Sequence, residues 1–199
     1  MHFSTTLLTL LPVSVVLGSP VPGKHGLDLG SWKKDWEHKW GDDEWKHDEK
    51  VFYFKKTYAV KATSNQVRNG TTPVQGQPGA KGLFKFGINV EGNTICYNIT
   101  LSGVTGDYQS PALTATHIHE APKGASGPPR LAFPNPQGPD EKRVSYGCLT
   151  GPFKTGITAN GKDTGEGFHV KQIVENAKNF FADTHTKQFP LGAVRGQLA

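Results

Sequence analysis

The chain has 199 residues, and its 22 Lys and Arg against 17 Asp and Glu give a formal charge of +5. With 24 Gly and 14 Pro, nearly a fifth of the chain favours turns, which excludes a helical bundle or a coiled coil. The length suits one domain plus tails, and no apolar run reaches the roughly 20 residues of a membrane span.

Residues 1–18 read as a secretory signal peptide. Leu7, Leu8, Leu10 and Leu11 open an apolar stretch that runs through Val13, Val15, Val16 and Leu17. Val16 and Gly18 are small enough for the −3 and −1 positions, so cleavage is expected after Gly18, and a secreted, extracellular protein follows. Residues 19–50 form a separate arm. Its 24–50 portion holds all four Trp (Trp32, Trp36, Trp40, Trp45), three His (His25, His38, His47) and a net charge of −2, but no Val, Ile or Phe. Such a segment cannot build a core and is expected to be a disordered, solvated spacer. Trp32, Trp36 and Trp40 also share one helical face, so a short amphipathic helix that docks on a wall, a membrane surface or a partner is the alternative.

Residues 51–199 carry the remaining +7 and alternate as strands do. Phe84, Phe86, Ile88 and Val90 share one face, as do Ile95, Tyr97, Ile99 and Leu101. Gly92-Asn93 between the two runs suits a hairpin turn. Further strands are expected over 52–62, 113–119, 129–133, 143–149, 180–186 and 192–198. Val170, Ile173, Val174 and Ala177 instead recur at helical spacing and predict one short helix. Residues 63–81 and 120–142, rich in Gly and Pro, read as long loops. The fold class is all-β.

Two Cys in a secreted chain most simply pair. Cys96 and Cys148 lie 52 residues apart, and closing that loop contributes about 4 kcal/mol in the chain-entropy model. Asn69-Gly70-Thr71 and Asn98-Ile99-Thr100 match the N-glycosylation sequon.

Ala115-Thr116-His117-Ile118-His119-Glu120 is the segment richest in chemistry. On a strand, His117 and His119 project from one face, close enough to share a metal ion, while Ile118 points to the core. Asp183 and His185 share the polar face of the 180–186 strand, and His185 would supply a third imidazole. Imidazoles suit copper or zinc, and copper binds more tightly in the usual affinity order; an open coordination position would permit chemistry. Surface or hydrogen-bonded histidines are the plainer reading of the same spacing, as a loop hydrogen bond is for Glu120 and pairing with a loop carbonyl is for Arg195. Other motifs fail. Gly156–Lys162 is close to a P-loop, but Asp163 stands where the magnesium-binding hydroxyl belongs. There is no GxSxG elbow, and the basic residues are dispersed, unlike a nucleic-acid platform.

From about residue 57 to the end the chain resembles the CHRD domain, first described in chordin and widespread in secreted microbial and fungal proteins. The likeness rests on THIHEAP at 116–122, GPP at 127–129, FHVKQIVENAKNFFADTHT at 168–186 and GAVRGQL at 192–198. A second likeness is local. HIHEAPKGASGPPRLAFPNP is similar to the copper-ligand segment of Cu,Zn superoxide dismutases, an HxHE followed by GPHFNP. It implies a Greek-key β-sandwich or barrel, His117, His119 and His185 as copper ligands, and Arg195 as the cation that draws an anion to the metal. The bridging His of the dismutase pattern is replaced here by Pro129 and Arg130.

Two functions are therefore expected. One is an extracellular binding or structural module, monomeric, with an unidentified partner or wall polysaccharide as its ligand. The other is a copper protein, less readily a zinc protein, with a three-His site and superoxide-type redox activity in which Arg195 serves catalysis. No nucleic-acid partner is expected.

Overall fold

The computed structural model describes residues 53–199. The leader assigned to 1–18 and the arm assigned to 19–50 lie outside the described residues. The alternating segments become strands β1 (Lys56–Thr63), β2 (Arg68–Asn69), β3 (Thr72–Pro73), β4 (Lys81–Asn89), β5 (Thr94–Ser102), β6 (Thr116–Glu120), β7 (Pro129–Phe133), β8 (Arg143–Thr150), β9 (Thr158–Ala159), β10 (Lys162–Asp163), β11 (Phe180–Thr184) and β12 (Val194–Gln197). One α-helix, α1 (Lys171–Glu175), and 3-10 turns at Ser64–Gln66 and Ala177–Asn179 complete the described regular structure.

Eight strands form one sheet in the order β7-β6-β11-β12-β1-β4-β5-β8, with every neighbouring pair antiparallel. Its two ends nearly meet. Just beyond β7, Gln137 exchanges both backbone hydrogen bonds with Val144 of β8, at 2.9 and 2.8 Å. The sheet therefore curls into an almost closed barrel, the all-β Greek-key class expected from the sequence, and near-closure leaves little free strand edge. The ribbons β2–β3 and β9–β10 lie apart from the sheet.

Period-2 alternation decides which residues fill the barrel. Phe84, Ile88, Ile95, Ile99, Leu101, Ile118, Leu131, Phe133, Phe180 and Val194 are buried in one core. The helix closes part of it. Val170 and Ile173 are fully buried, the Val170 amide donates to Asn93 Oδ1 (3.1 Å), and the Tyr58 hydroxyl donates to Ile173 O (3.3 Å). The Gly92-Asn93 turn forms as expected. Asn93 takes a left-handed φ of 46°, and Gly92 N donates to Asn89 Oδ1 (2.7 Å).

Element ends differ from the sequence reading where loops intervene. The strand expected at 113 begins at Thr116, and Leu113 hangs outside the core at 67% exposure. The strand expected to run to 186 leaves the ladder after Thr184, although His185 N still donates to Ala115 O (2.8 Å). That departure fixes the position of the His185 ring.

Candidate metal centre

Side chains that point away from the barrel core converge on the outer face of β6, β11 and β12. Register places Asp183 opposite His117 on one side and Arg195 on the other, and Phe181 opposite His119. Three segments roof this face: the β2 ribbon, the 120–128 loop and the 185–193 loop. Ser126 ties the first two together, its amide donating to Gly70 O (2.8 Å) and its hydroxyl to Arg68 O (3.2 Å). His117 is 1% exposed although it projects away from the core, its ring centroid 5.2 Å from that of His119 and 5.4 Å from that of His185.

The ligand-type atoms of His117, His119, Asp183 and His185 all lie within 4.8 Å of one another. Asp183 stands among the imidazoles. Its Oδ1 is 3.6 Å from His117 Nδ1 and 3.3 Å from His119 Nε2, and its Oδ2 is 3.1 Å from His185 Nε2. The other nitrogen of each ring meets a backbone carbonyl: His117 Nε2 with Thr114 O (2.7 Å), His119 Nδ1 with Gly127 O (2.8 Å) and His185 Nδ1 with Pro190 O (2.9 Å). A carbonyl only accepts, so each outer nitrogen carries the hydrogen. In a neutral ring the inner nitrogen is then a bare lone pair aimed at the centre, the arrangement that orients metal-bound histidines. His117 Nδ1, His119 Nε2 and Asp183 Oδ1 are buried with no hydrogen-bond partner, and orphaned buried polar atoms of this kind call for an ion or another occupant.

Burial and the shared carboxylate set the charge states of these groups. Burial pushes His117 down toward the neutral form, more than Asp183 pulls it up. For Asp183 burial alone would raise the carboxyl, but His119, His185 and His117 outweigh it and hold the group well below the usual carboxylate range. Burial also acts to lower His185, yet the adjacent Asp183 carboxylate raises it above the ordinary imidazole value.

A cleft of about 210 Å³ opens beside these side chains, lined among others by Arg68, His119, Phe181, Asp183 and Arg195. Phe181 lies between two of them. His119 stacks on it at 4.8 Å with an interplanar angle of 6°, and Arg195 sits over the ring with Cζ 3.5 Å from the centroid.

The structure thus brings His117, His119, His185 and Arg195 together. Asp183, placed on the shared polar face by alternation but not counted among the candidate ligands, stands at the centre of the group. Arg68 was not singled out, because nothing in a Gly/Pro-rich loop foretells which strand face it will roof. Asn69 is exposed at the cleft rim, and Asn98 is exposed on the outer face of β5. Cys96 and Cys148 are register partners on β5 and β8 and form a disulfide. Glu120 accepts from Arg130 Nε at 2.7 Å, and His169 lies just ahead of α1, outside the cluster. The likeness to the dismutase copper strand covers the three histidines but no bridging imidazole. Pro129 pairs with His119 across a bulge in the β6–β7 ladder, and Arg130 turns to Glu120 and Thr164 O.

The chain is thus an all-β domain with an imidazole-carboxylate cluster on its outer face. The family model for the CHRD domain matches residues 58–198, and the chain belongs to that family. No curated protein matches the chain, and no solved structure does. Among the described residues no helix is long and apolar enough to cross a membrane.

Proposed function

We propose that this CHRD domain is a secreted, extracellular binding module built around a single transition-metal ion, held by His117, His119, His185 and Asp183. The observation that carries the reading is the set of three rings whose outer N–H groups are each committed to a backbone carbonyl, leaving their inner nitrogens turned on one buried carboxylate. A three-nitrogen, one-oxygen donor set suits Cu(II) or Zn(II), with copper the tighter binder. The apolar leader at 1–18 and the Cys96–Cys148 bridge support an oxidising, extracellular setting. The exposure of Asn69 and Asn98 supports glycans at both sequons. The +7 charge of residues 51–199 favours anionic partners such as acidic wall polysaccharide.

Elemental analysis of the mature protein after copper or zinc loading and dialysis tests the metal. The expected result is about one ion per chain, lost in His117→Ala/His119→Ala and in the milder His185→Asn, with a thermal midpoint in the wild type that rises on loading. A wild-type chain that retains no metal, or variants that retain it fully, would overturn the reading.

A further inference from the structure

The cleft beside the cluster holds a buried cation with no acid of its own. Arg195 is 4% exposed, lies on the face of Phe181, and donates one hydrogen bond, from Nη2 to Ala125 O (2.6 Å). Asp183, its register partner, is turned to the three imidazoles. Among the described residues no carboxylate forms an ion pair with Arg195, so most of its donor fork is left for the cleft that it lines. Arg68 lines the same space, its Nη1 held by Asn65 O and Val67 O at 3.1 and 2.8 Å.

With the proposed metal in place, two guanidinium groups and a divalent ion would stand there against the single charge of Asp183. Roofed cations are costly unless an anion accompanies them. The planar fork of arginine matches a carboxylate through two parallel N–H donors. A space of about 210 Å³ admits a carboxyl group and a few carbons. The rest of a longer ligand would leave past Leu191, which lines the same cleft and is 48% exposed.

We propose that the cleft binds a carboxylate ligand, which Arg195, oriented by Phe181 and Ala125 O and assisted by Arg68, holds against the metal centre. The inference rests on the metal reading above. It narrows the ligand from anions in general to carboxylates, whether a free small acid or the uronic acid unit of a polysaccharide.

Calorimetric titration of the metal-loaded mature protein tests it, with acetate, glucuronate and inorganic phosphate as probes and affinities normalised to bound metal. Both carboxylates are expected to bind the wild type, about tenfold more weakly in Arg195→Gln and about threefold more weakly in Arg68→Gln, as loss of a charge-assisted pair implies. Arg195→Lys keeps the charge without the fork and should fall between wild type and Arg195→Gln, so it decides the matter should the Gln variant fail to fold. Glucuronate binding more tightly than acetate identifies a uronate source, and equal binding identifies small free acids. Phosphate binding more tightly than either carboxylate, or unchanged carboxylate affinity in the Arg195 variants, would overturn the proposal. A chain that holds metal and ignores both carboxylates refutes this inference alone, whereas a chain that holds no metal refutes the metal reading and this inference with it.

Discussion

The three imidazoles are positioned by carbonyls, and mutagenesis reaches those acceptors only through the backbone that carries them. Gly127 offers the sharpest handle. Its oxygen orients His119, and a Cβ built at this residue would stand 1.9 Å from Glu120 O, a backbone atom at the end of β6, where Glu120 pairs with Phe180 of β11 and its amide donates to Pro128 O (3.0 Å). No side chain fits there, so Gly127→Ala must push the loop away from β6 and carry the His119 acceptor with it. Loss of an orienting partner typically weakens metal affinity by about 10- to 100-fold. Gly127→Ala should therefore fold, keep its disulfide and bind copper or zinc at least tenfold more weakly in a chelator-competition titration. Gly70→Ala is the comparison: a Cβ there meets nothing within 4 Å, and only its left-handed φ of 60° is strained. Equal metal affinity for Gly127→Ala and wild type would mean that the carbonyl does not orient the ring.

Strands were legible because alternation is a local property. Ile118 between His117 and His119, and Ala182 between Phe181 and Asp183, showed which side chains face the core and which share the outer face. What joins β6, β11 and β12 side by side is non-local pairing, and periodicity carries no information about it; hence Asp183 was visible on a polar face but not as the centre of a cluster. The roof was less legible still, since Arg68 on the short β2 strand and Ser126 in the 120–128 loop meet only through long-range hydrogen bonds. The P-loop-like segment shows another limit. It is a hairpin, β9–β10, turned at Asn160 and Gly161 with φ of 52° and 79°, and Asp163, the residue that broke the motif, ties its base. Asp163 Oδ1 accepts from Thr155 N (3.0 Å), Thr155 Oγ1 (3.1 Å) and Gly165 N (2.7 Å), and Oδ2 accepts from Gly156 N (2.8 Å). Burial acts to raise this carboxyl, but those donors hold it below its ordinary value. A folded-state pKa below the unfolded value means that the contribution is present above the unfolded carboxyl pKa, about 3.9, and fades as pH falls through the folded one. Asp163→Asn should lower unfolding free energy by about 1–3 kcal/mol at neutral pH. The gap from wild type should narrow below about pH 4, as read from denaturant midpoints across pH. A gap that stays constant down to pH 2 would assign the loss to packing and not to the carboxylate.

At the scale of the whole molecule the barrel has an open seam between β7 and β8 and a second thin junction between β1 and β12, which are in register only at Thr63 and Arg195. β8 has a full ladder only to β5 and meets the β7 side through the Gln137–Val144 bridge. The Cys96–Cys148 bond lies in the β5–β8 ladder, so it secures the strand that would otherwise be the easiest to peel from the sheet. Two effects then add. The crosslink removes loop-closure entropy from the unfolded chain, about 4 kcal/mol for a 52-residue separation, and it couples opening of the seam to opening of the barrel. Cys96→Ala/Cys148→Ala should therefore lose about 3–4 kcal/mol of unfolding free energy, and hydrogen exchange should show the amides of β8 losing protection before those of β4 and β11. The imidazole-carboxylate cluster sits on β6, β11 and the residue that follows β11, with β12 and β1 between it and the β4–β5–β8 half of the sheet. Loaded metal content in the double variant should accordingly match wild type under conditions where both are folded. Loss of metal along with the bridge would show instead that the outer-face site and the seam open as one cooperative unit.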